Sequence, residues 1–250
     1  MRPNKFLGQN FLKSKKIAEE IVKAADIKPN DVVLEVGPGK GILTEELVKR
    51  AGRVIAVEKD GRLVDFLREK FKNIKNLKII HNDILKITRY ALPITRYKIV
   101  ANIPYYITSH FLRKFLESDF QPFLMVLMVQ KEVAERIVAR DKKESILSIS
   151  VKVYGQPKII KIVPAHYFSP KPKVDSAILR IDNISKKFFK NDTETSFFGL
   201  VKKGFSSKRK MLKNNLNLSN TECLTRCGIP EKSRAEDLSL ENWRYLVKIL

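Results

Sequence analysis

The residues Asn102-Ile103-Pro104-Tyr105 combine an amide side chain, a rigid turn and an aromatic ring. They follow the apolar run 98–101 and precede a helical pattern that opens at Thr108, so they lie at the carboxyl end of a predicted strand. Open α/β sheets bind their ligands at that end. Pro104 fixes its own φ angle and biases Ile103 toward an extended conformation, which stiffens the turn. Such a turn suits an adenine base, whose exocyclic amine donates two hydrogen bonds and whose ring stacks on an aromatic face. An ordinary strand-to-helix turn with a buried Tyr is the alternative.

A glycine-rich turn, Gly37-Pro-Gly-Lys-Gly41, joins a predicted strand over 31–36 to a helical pattern over 42–51. Glycine at such a junction lets a ligand approach the backbone closely. The third glycine comes too early for the dinucleotide pattern, and Lys40 lacks the spacing of a phosphate-binding P-loop. A third interpretation is the G-x-G-x-G turn of methyltransferases, which cradles the amino-acid end of S-adenosylmethionine.

Two acids follow two further predicted strands. Glu58 ends the strand over 53–58, about 20 residues beyond the glycines, where a carboxylate can accept hydrogen bonds from both ribose hydroxyls of an adenosine ligand. Asp83 follows the strand over 77–80 and could accept from an adenine amine. A cap or turn role is the alternative for each acid.

The composition points to a polyanionic partner. The 250 residues include 49 Lys or Arg and 27 Asp or Glu, which gives a formal net charge of +22. Nucleic acid is the expected partner, although a lysine-rich surface can also serve solubility or thermal adaptation. Two cysteines and three histidines show no spacing typical of a disulfide framework, a metal site or a triad. No apolar segment resembles a signal peptide or a membrane span, so we expect a soluble, cytoplasmic monomer without a metal.

The elements that position these residues alternate between strand and helix through residue 140, and strands dominate to residue 182. This order predicts an α/β fold with a parallel sheet closed by a late antiparallel pair, and seven strands fit the Rossmann-like methyltransferase domain. Composition changes near Asp182, so we expect a methyltransferase domain over 1–183 and a basic helical RNA-binding domain over 184–250. The stretch 186–213 has nine Lys or Arg and two Asp or Glu. Its best candidates for phosphate contacts are Lys202, Lys203, Lys208, Arg209 and Lys210.

The first twelve residues show no period, but their apolar side chains are costly to leave in water, so this segment is expected to pack over another part of the chain. After it, Ser14 is a plausible N-cap for a helix that extends to Ala25.

Six motifs in register resemble those of the small-subunit ribosomal RNA adenine dimethyltransferases. They are Leu7-Gly-Gln-Asn-Phe-Leu12, Glu35-Val-Gly-Pro-Gly-Lys-Gly41, Asn102-Ile-Pro-Tyr105, Pro172-Lys-Val-Asp-Ser-Ala177, the stretch from Phe205 to Leu216, and Arg234-Ala-Glu-Asp-Leu-Ser-Leu240. The resemblance covers nearly the whole chain. One small departure is Lys208, where the family more often has Arg, which weakens a bidentate phosphate contact and keeps the charge.

The resemblance implies a role for each matching residue. S-adenosylmethionine would contact Gln9, Asn10, Leu12, Gly37, Gly39, Glu58, Asp83 and Asn102. Glu58 would bind the ribose hydroxyls and Asp83 the cofactor's adenine amine. Asn102 and Pro104 would border the target base, and Tyr105 would stack on it.

The resemblance also implies the substrate: two adjacent adenines in a loop near the 3′ end of small-subunit rRNA, each methylated twice on its 6-amino nitrogen during ribosome biogenesis. Two alternatives stay open. One is a large-subunit rRNA adenine methyltransferase of the antibiotic-resistance type, which the motifs after residue 204 disfavour. The other is a non-catalytic ribosome-assembly or RNA-binding factor, which the intact cofactor residues disfavour. A DNA adenine methyltransferase and a nicotinamide dehydrogenase fit fewer of the motifs.

Overall fold

A computed structural model describes residues 7–88, 92, 94–189 and 194–250. The first six residues of the segment that was expected to pack over the chain lie outside these ranges. The chain forms two compact units, one of residues up to Ala134 with Gln156–Ile184, the other of Glu135–Gly155 with Ser185–Leu250. The domain boundary at residues 183 and 184 stays a prediction, because compactness alone does not show that either part folds independently.

The first unit is built on a seven-stranded sheet. The strands of the chain are β1 Phe11–Leu12, β2 Val32–Val36, β3 Arg53–Glu58, β4 Leu77–His81, β5 Lys98–Asn102, β6 Leu124–Gln130, β7 Gln156–Val163, β8 Phe168–Ser169 and β9 Ser176–Asp182. The sheet has the order β4-β3-β2-β5-β6-β9-β7, and β1 pairs with β8 apart from it. Strands β2 to β6 run parallel, whereas β9 is antiparallel to both of its neighbours. This is the predicted Rossmann-like fold with its late antiparallel pair.

Ten α-helices accompany the strands in the described parts of the chain. They are α1 Lys15–Ala24, α2 Ile42–Val48, α3 Gly61–Lys70, α4 Thr108–Leu116, α5 Lys131–Val138, α6 Ile146–Lys152, α7 Glu194–Gly204, α8 Leu212–Leu216, α9 Glu222–Arg226 and α10 Leu240–Ile249. Ser14 caps α1 by accepting from the Ile17 N–H, as predicted, and Asp60 caps α3 by accepting from the Arg62 N–H. The apolar stretch 146–154 has no pattern that decides between helix and strand, and it begins as α6 because Ser145 and Ser148 form a capping box.

The core of the first unit follows from burial of both sheet faces. The centres of β3, β5 and β6 are continuous apolar runs, and β2 is apolar apart from Glu35, as is typical of parallel strands covered by helices. Helix α1 adds Ile17, Ile21 and Val22 to this core. No helix within the described ranges is both long and apolar enough to cross a membrane.

Aromatic rings form the core of the second unit. Phe188, Phe189, Phe197 and Phe198 pack with ring centroids 5.2 to 6.0 Å apart, and Trp243 is fully buried. These aromatics, which are interleaved with the lysines in the sequence, thus pack against one another in this core. The sequence Ser233-Arg-Ala-Glu236 has the residue types of a capping box, but Ser233 and Glu236 do not form one. The Asp237 carboxylate instead accepts from the Arg234 N–H, one residue further along.

Candidate active site

An open pocket lies at the carboxyl ends of β2, β3 and β5 and has an empty volume of about 1100 Å³ out to solvent. Parallel strands bring the residues that follow them to one sheet edge. Every residue predicted from sequence for cofactor or target base lines this pocket: Gln9, Asn10, Leu12, Gly37, Gly39, Glu58, Asp83, Asn102, Pro104 and Tyr105. The five predicted RNA-binding cations belong to the second unit, at the end of α7 and in the loop after it.

The glycine turn gives the pocket a floor of bare backbone. Gly37 and Gly39 have φ angles of +65° and +60°, a region that side chains with a Cβ rarely adopt. A Cβ on Gly39 would lie 2.9 Å from the ring of Phe11, so only glycine fits beneath that ring. Neither glycine adds a side chain of its own to this turn: the Phe11 ring packs over Gly39, and a Cβ on Gly37 would meet no atom closer than 3.8 Å.

Glu58 turns its buried carboxylate back toward the glycine turn. It accepts from the N–H groups of Gly39 at 3.2 Å, Lys59 at 2.8 Å and Asp60 at 2.9 Å. Burial raises the pKa of Glu58 in spite of these bonds, which act in the opposite direction. Each carboxylate oxygen has two lone pairs, so the group keeps acceptor capacity on the pocket side.

Asp83 combines a turn role with a place in the pocket wall. It accepts from the Leu85 N–H at 2.9 Å and forms an ion pair with Lys59 at 2.9 Å. Partial burial raises the pKa of Asp83, but the Lys59 and Leu85 hydrogen bonds outweigh it and hold that pKa below its usual range. The group is thus an ionised acceptor, whichever role it serves.

Residues 7–12, here called the strap, cross over the pocket. The side-chain amide of Asn102 donates to the Asn10 carbonyl at 3.3 Å, and Gln9 donates to the Asp60 carboxylate at 3.1 Å. Further along the strap, β1 pairs with β8 and buries Phe11 and Leu12. The strap is therefore fastened at three places, and the bond to Asn10 orients the Asn102 amide.

Both the backbone and the side-chain hydroxyl of Tyr105 are held in place. Pro104, with φ of −58°, precedes the short 3₁₀ helix Tyr105–Ile107 and sets the backbone. The Tyr105 hydroxyl lies 2.6 Å from the Ser176 Oγ of β9, and Ser176 is fully buried. Burial raises the pKa of Tyr105, and the bond with Ser176 opposes that shift. Sequence reasoning noted the motif that contains Ser176 but gave this serine no role.

Glu35 is a second residue that sequence reasoning passed over. It lies in β2 at the base of the pocket and is 1% exposed. Its two carboxyl oxygens have no hydrogen-bond partner within the described ranges, and the nearby Thr44 hydroxyl is also buried without one. Burial raises the pKa of Glu35 to about 8, although Thr44 acts in the opposite direction. An acid in the strand before the glycine turn is visible in the sequence; its lack of a hydrogen-bond partner is not.

These residues fit S-adenosylmethionine. The floor without side chains can receive the methionine portion, and the Glu58 carboxylate beside it can accept from a ribose diol. The rim adds the ionised Asp83 as an acceptor for an amine, and the strap would cover the ligand.

Comparison with known proteins agrees with this chemistry. The family model described as ribosomal RNA adenine dimethylase matches residues 1–250. The ribosomal RNA small subunit methyltransferase A of Dehalococcoides mccartyi is 48% identical over 258 residues, covering 98% of this chain and 88% of that protein. The protein of the same name from Clostridium botulinum is 39% identical, covering 96% and 91%.

Two solved structures resemble the fold over nearly its whole length. The 23S rRNA methyltransferase ErmE aligns with a TM-score of 0.80 at 27% identity, covering 96% of this chain and 98% of that one. A dimethyladenosine transferase from Plasmodium falciparum aligns with a TM-score of 0.81 at 28% identity, covering 94% and 95%. The chain belongs to the ribosomal RNA adenine dimethylase family of S-adenosylmethionine-dependent methyltransferases.

Proposed function

We propose that this protein, acting as a monomer, dimethylates the 6-amino groups of two adjacent adenines in a loop near the 3′ end of small-subunit rRNA. The observation that carries the proposal is the single pocket that joins the glycine turn, Glu58 and the turn from Asn102 to Tyr105. The small subunit is favoured over the large because relatives at 38–48% identity are named for the small subunit, whereas identity to the 23S enzyme is 27%.

Each part of the pocket has a role toward the cofactor in this proposal. The backbone of Gly37 and Gly39 receives the methionine portion, and Glu58 accepts from the ribose hydroxyls. Asp83 accepts from the cofactor's adenine amine. Gln9, Asn10 and Leu12 of the strap cover it from above. S-adenosylmethionine supplies an electrophilic methyl group on a sulfonium, so the protein's task is to prepare the nucleophile.

The turn after β5 prepares the target amine. The Asn102 amide nitrogen donates to the Asn10 carbonyl, so its Oδ1 is left to accept a hydrogen from the adenine amine. The Pro104 carbonyl already accepts from the Ile107 N–H at 3.2 Å, which leaves the Ile103 carbonyl as the better second acceptor. Two such bonds favour a pyramidal nitrogen with its lone pair directed at the methyl group. Tyr105 holds the ring plane by stacking.

No strong base is required before attack, because the amine proton becomes acidic once the nitrogen carries the new methyl group. Catalysis then rests on positioning and on fixed dipoles. Asn102→Ala should lower turnover on the order of 10²- to 10³-fold, by analogy with the loss of one oxyanion donor. Near-normal turnover of this variant would contradict the mechanism.

The second unit supplies the electrostatic contact with RNA. Lys202, Lys203, Lys208, Arg209 and Lys210 carry five positive charges. Within the described residues, none of the five forms an ion pair with an acid, whereas the neighbouring Lys213 pairs with Glu231 at 2.5 Å. Cations without acidic partners can exchange counterions for phosphates at little cost.

The function is tested with isotopically labelled S-adenosylmethionine and unmethylated small ribosomal subunits, with large subunits, naked rRNA and DNA in parallel. Digestion and mass spectrometry then detect dimethyladenosine. Label that appears as dimethyladenosine only in small-subunit material supports the proposal. Label in large-subunit RNA would assign the resistance-type activity, and cofactor binding without label would assign a non-catalytic assembly role.

A further inference from the structure

The loop between α7 and α8, residues 205–211 and here called the basic loop, carries three consecutive cations. Lys208, Arg209 and Lys210 are exposed. Long basic side chains do not fix a backbone by themselves, because each loses rotamer entropy when it is ordered. The conformation of this loop must therefore be set by other contacts.

Asn215 of α8 makes those contacts. The residue is only 7% exposed. Its amide nitrogen donates to the Gly204 carbonyl at 2.5 Å and to the Ser207 carbonyl at 3.0 Å. Its Oδ1 accepts from the Ser206 hydroxyl at 3.3 Å. One amide thus bonds three of the four residues 204–207, which lead to the cations.

These bonds decide which groups the basic loop presents to solvent. Two carbonyl dipoles point at Asn215 and are turned away from a ligand. The N–H groups of residues 207–209 have no hydrogen-bond partner in the described parts of the chain. Unpaired N–H groups beside cationic side chains form a surface that suits an anion.

The two ends of the basic loop are fixed by independent packing. A Cβ on Gly204 would lie 2.3 Å from the Trp243 ring, and Phe205 stacks on the same ring at 5.9 Å. At the other end, the Leu212 N–H donates to the Ser233 carbonyl at 2.8 Å. Asn215 thus adds one bond at the first end, to Gly204, and two bonds inside the loop, to Ser206 and Ser207, where this packing does not reach.

We propose that Asn215 is a positioning residue that holds the basic loop in the conformation that binds rRNA phosphates. This inference rests on the proposed function, which assigns the loop to RNA. Asn215→Ala should weaken binding of small ribosomal subunits about tenfold, the factor expected when one or two hydrogen bonds of ordinary net strength are lost. Affinity for S-adenosylmethionine should not change, because its pocket belongs to the first unit.

Asn214→Ala is the matched control. Asn214 is the preceding residue on the same helix, is exposed, and makes no side-chain hydrogen bond within the described residues. Dissociation constants for small subunits would be measured for both variants over a range of salt concentrations. Asn215→Ala should lower affinity and flatten the salt dependence, because a disordered loop neutralises fewer phosphates. Asn214→Ala should match the native protein.

Hydrogen exchange separates positioning from unfolding. Asn215→Ala should raise amide exchange in the basic loop and leave α10 protected. Should α10 lose protection, Ser206→Ala replaces it as the test. That change removes one bond to Asn215 from an exposed hydroxyl and should weaken binding about two- to threefold. Unchanged affinity in a folded variant whose loop exchanges faster would overturn the proposal.

Removing the three charges of the basic loop distinguishes this inference from the proposed function. The triple variant K208A/R209A/K210A should bind small subunits weakly, and adding Asn215→Ala to it should change little, because the charges that Asn215 positions are gone. Normal binding by the triple variant would refute the RNA role of the loop itself. Weak binding by the triple variant with full additivity of Asn215→Ala would refute only the positioning role.

Discussion

The two side chains assigned to the target base are held by groups far from them in sequence. The Asn102 amide is oriented by the carbonyl of Asn10, and the Tyr105 hydroxyl by Ser176. A side chain that must meet a base in one orientation benefits from such a second anchor, because the anchor restricts its rotamers before the ligand arrives.

Ser176→Ala and Tyr105→Phe remove the same hydrogen bond from opposite sides and both leave the stacking ring intact. Each should lower turnover at saturating RNA about three- to tenfold, the range for one hydrogen bond of ordinary net strength. The double variant should be no slower than either single one. Turnover and cofactor affinity are measured for all three, with Ser148→Ala as a control for loss of a fully buried serine hydroxyl. Multiplicative effects in the double variant would show that the two residues act separately.

Glu35 makes stability depend on pH. Its pKa in the folded protein is raised to about 8 by burial, above the ordinary value of 4.5. Below pH 4.5 both states are protonated, so this group does not favour unfolding. As pH rises toward 8, the unfolded state releases the proton while the folded state keeps it, and stability falls.

Glu35→Gln should remove that pH dependence, because the amide cannot ionise. Urea unfolding at pH 5 and at pH 8 measures the effect. The native protein should lose more stability than the variant between these two values. Equal losses would mean that Glu35 is ionised in the folded protein or that a polar partner compensates for it.

At the scale of elements, Lys98 ties the amino end of β5 to the end of α1. Its buried ammonium bonds the Asp31 carboxylate at 2.7 Å and the carbonyls of Ala25 at 3.1 Å and Asp26 at 2.7 Å. All three partner groups lie at the end of the sheet opposite the pocket. The contact therefore serves the fold and not the chemistry.

Lys98→Ala should lower the free energy of unfolding by about 3–5 kcal/mol, because it leaves a carboxylate and two carbonyls without their partner in a buried position. Lys158→Ala is the matched control. That lysine pairs with Asp182 at 3.0 Å but is 55% exposed, so its loss should cost about 0–1 kcal/mol. Urea denaturation measures both variants, and a similar cost for the two would contradict the role given to burial.

Elements with a strong local period were predicted closely from the sequence. The strand Arg53–Glu58 has the predicted bounds, and the helix Thr108–Leu116 begins at the predicted residue. The pairing of β1 with β8 was not predicted, because each has two residues and its partner lies far along the chain. Two-residue strands have no period, and only the folded chain brings them together.

The site residues that the sequence predicts are those whose positions follow from the order of the strands. Residues that follow parallel strands meet at one sheet edge, so a sequence pattern brings Gly37, Glu58 and Asn102 together once the fold is known. The hydrogen bond of Ser176 to Tyr105 and the lack of a hydrogen-bond partner for Glu35 depend on side-chain packing across strands. The order of elements does not specify that packing.

At the scale of the whole molecule, the net charge of +22 predicts a strong effect of salt on RNA binding. If the five cations of the second unit each neutralise one phosphate, the logarithm of affinity should fall with the logarithm of salt with a slope of about −3.5 to −4.5. Raising salt from about 50 to about 200 mM would then weaken binding on the order of 10²- to 10³-fold.

Titration of small ribosomal subunits at several salt concentrations measures this slope. Affinity for S-adenosylmethionine, measured in the same buffers, should change far less because the cofactor is small and carries no chain of phosphates. A shallow slope for the native protein would indicate that the charge excess serves the protein's own surface and not RNA.

The contacts of the strap and of Tyr105 also bear on the order in which the chain is made during synthesis. The pocket lining runs from Leu7 to Ile107, so a nascent chain that has left the ribosome through residue 160 already contains all of it. That chain still lacks Phe168 and Ser169, which pair with the strap, and Ser176, which holds Tyr105. Translation therefore delivers the pocket lining first and the strands that hold the strap and Tyr105, β8 and β9, afterwards. A newly made molecule therefore completes the contacts of its strap and of Tyr105 only after the first part of the second unit, Glu135–Gly155, has been made.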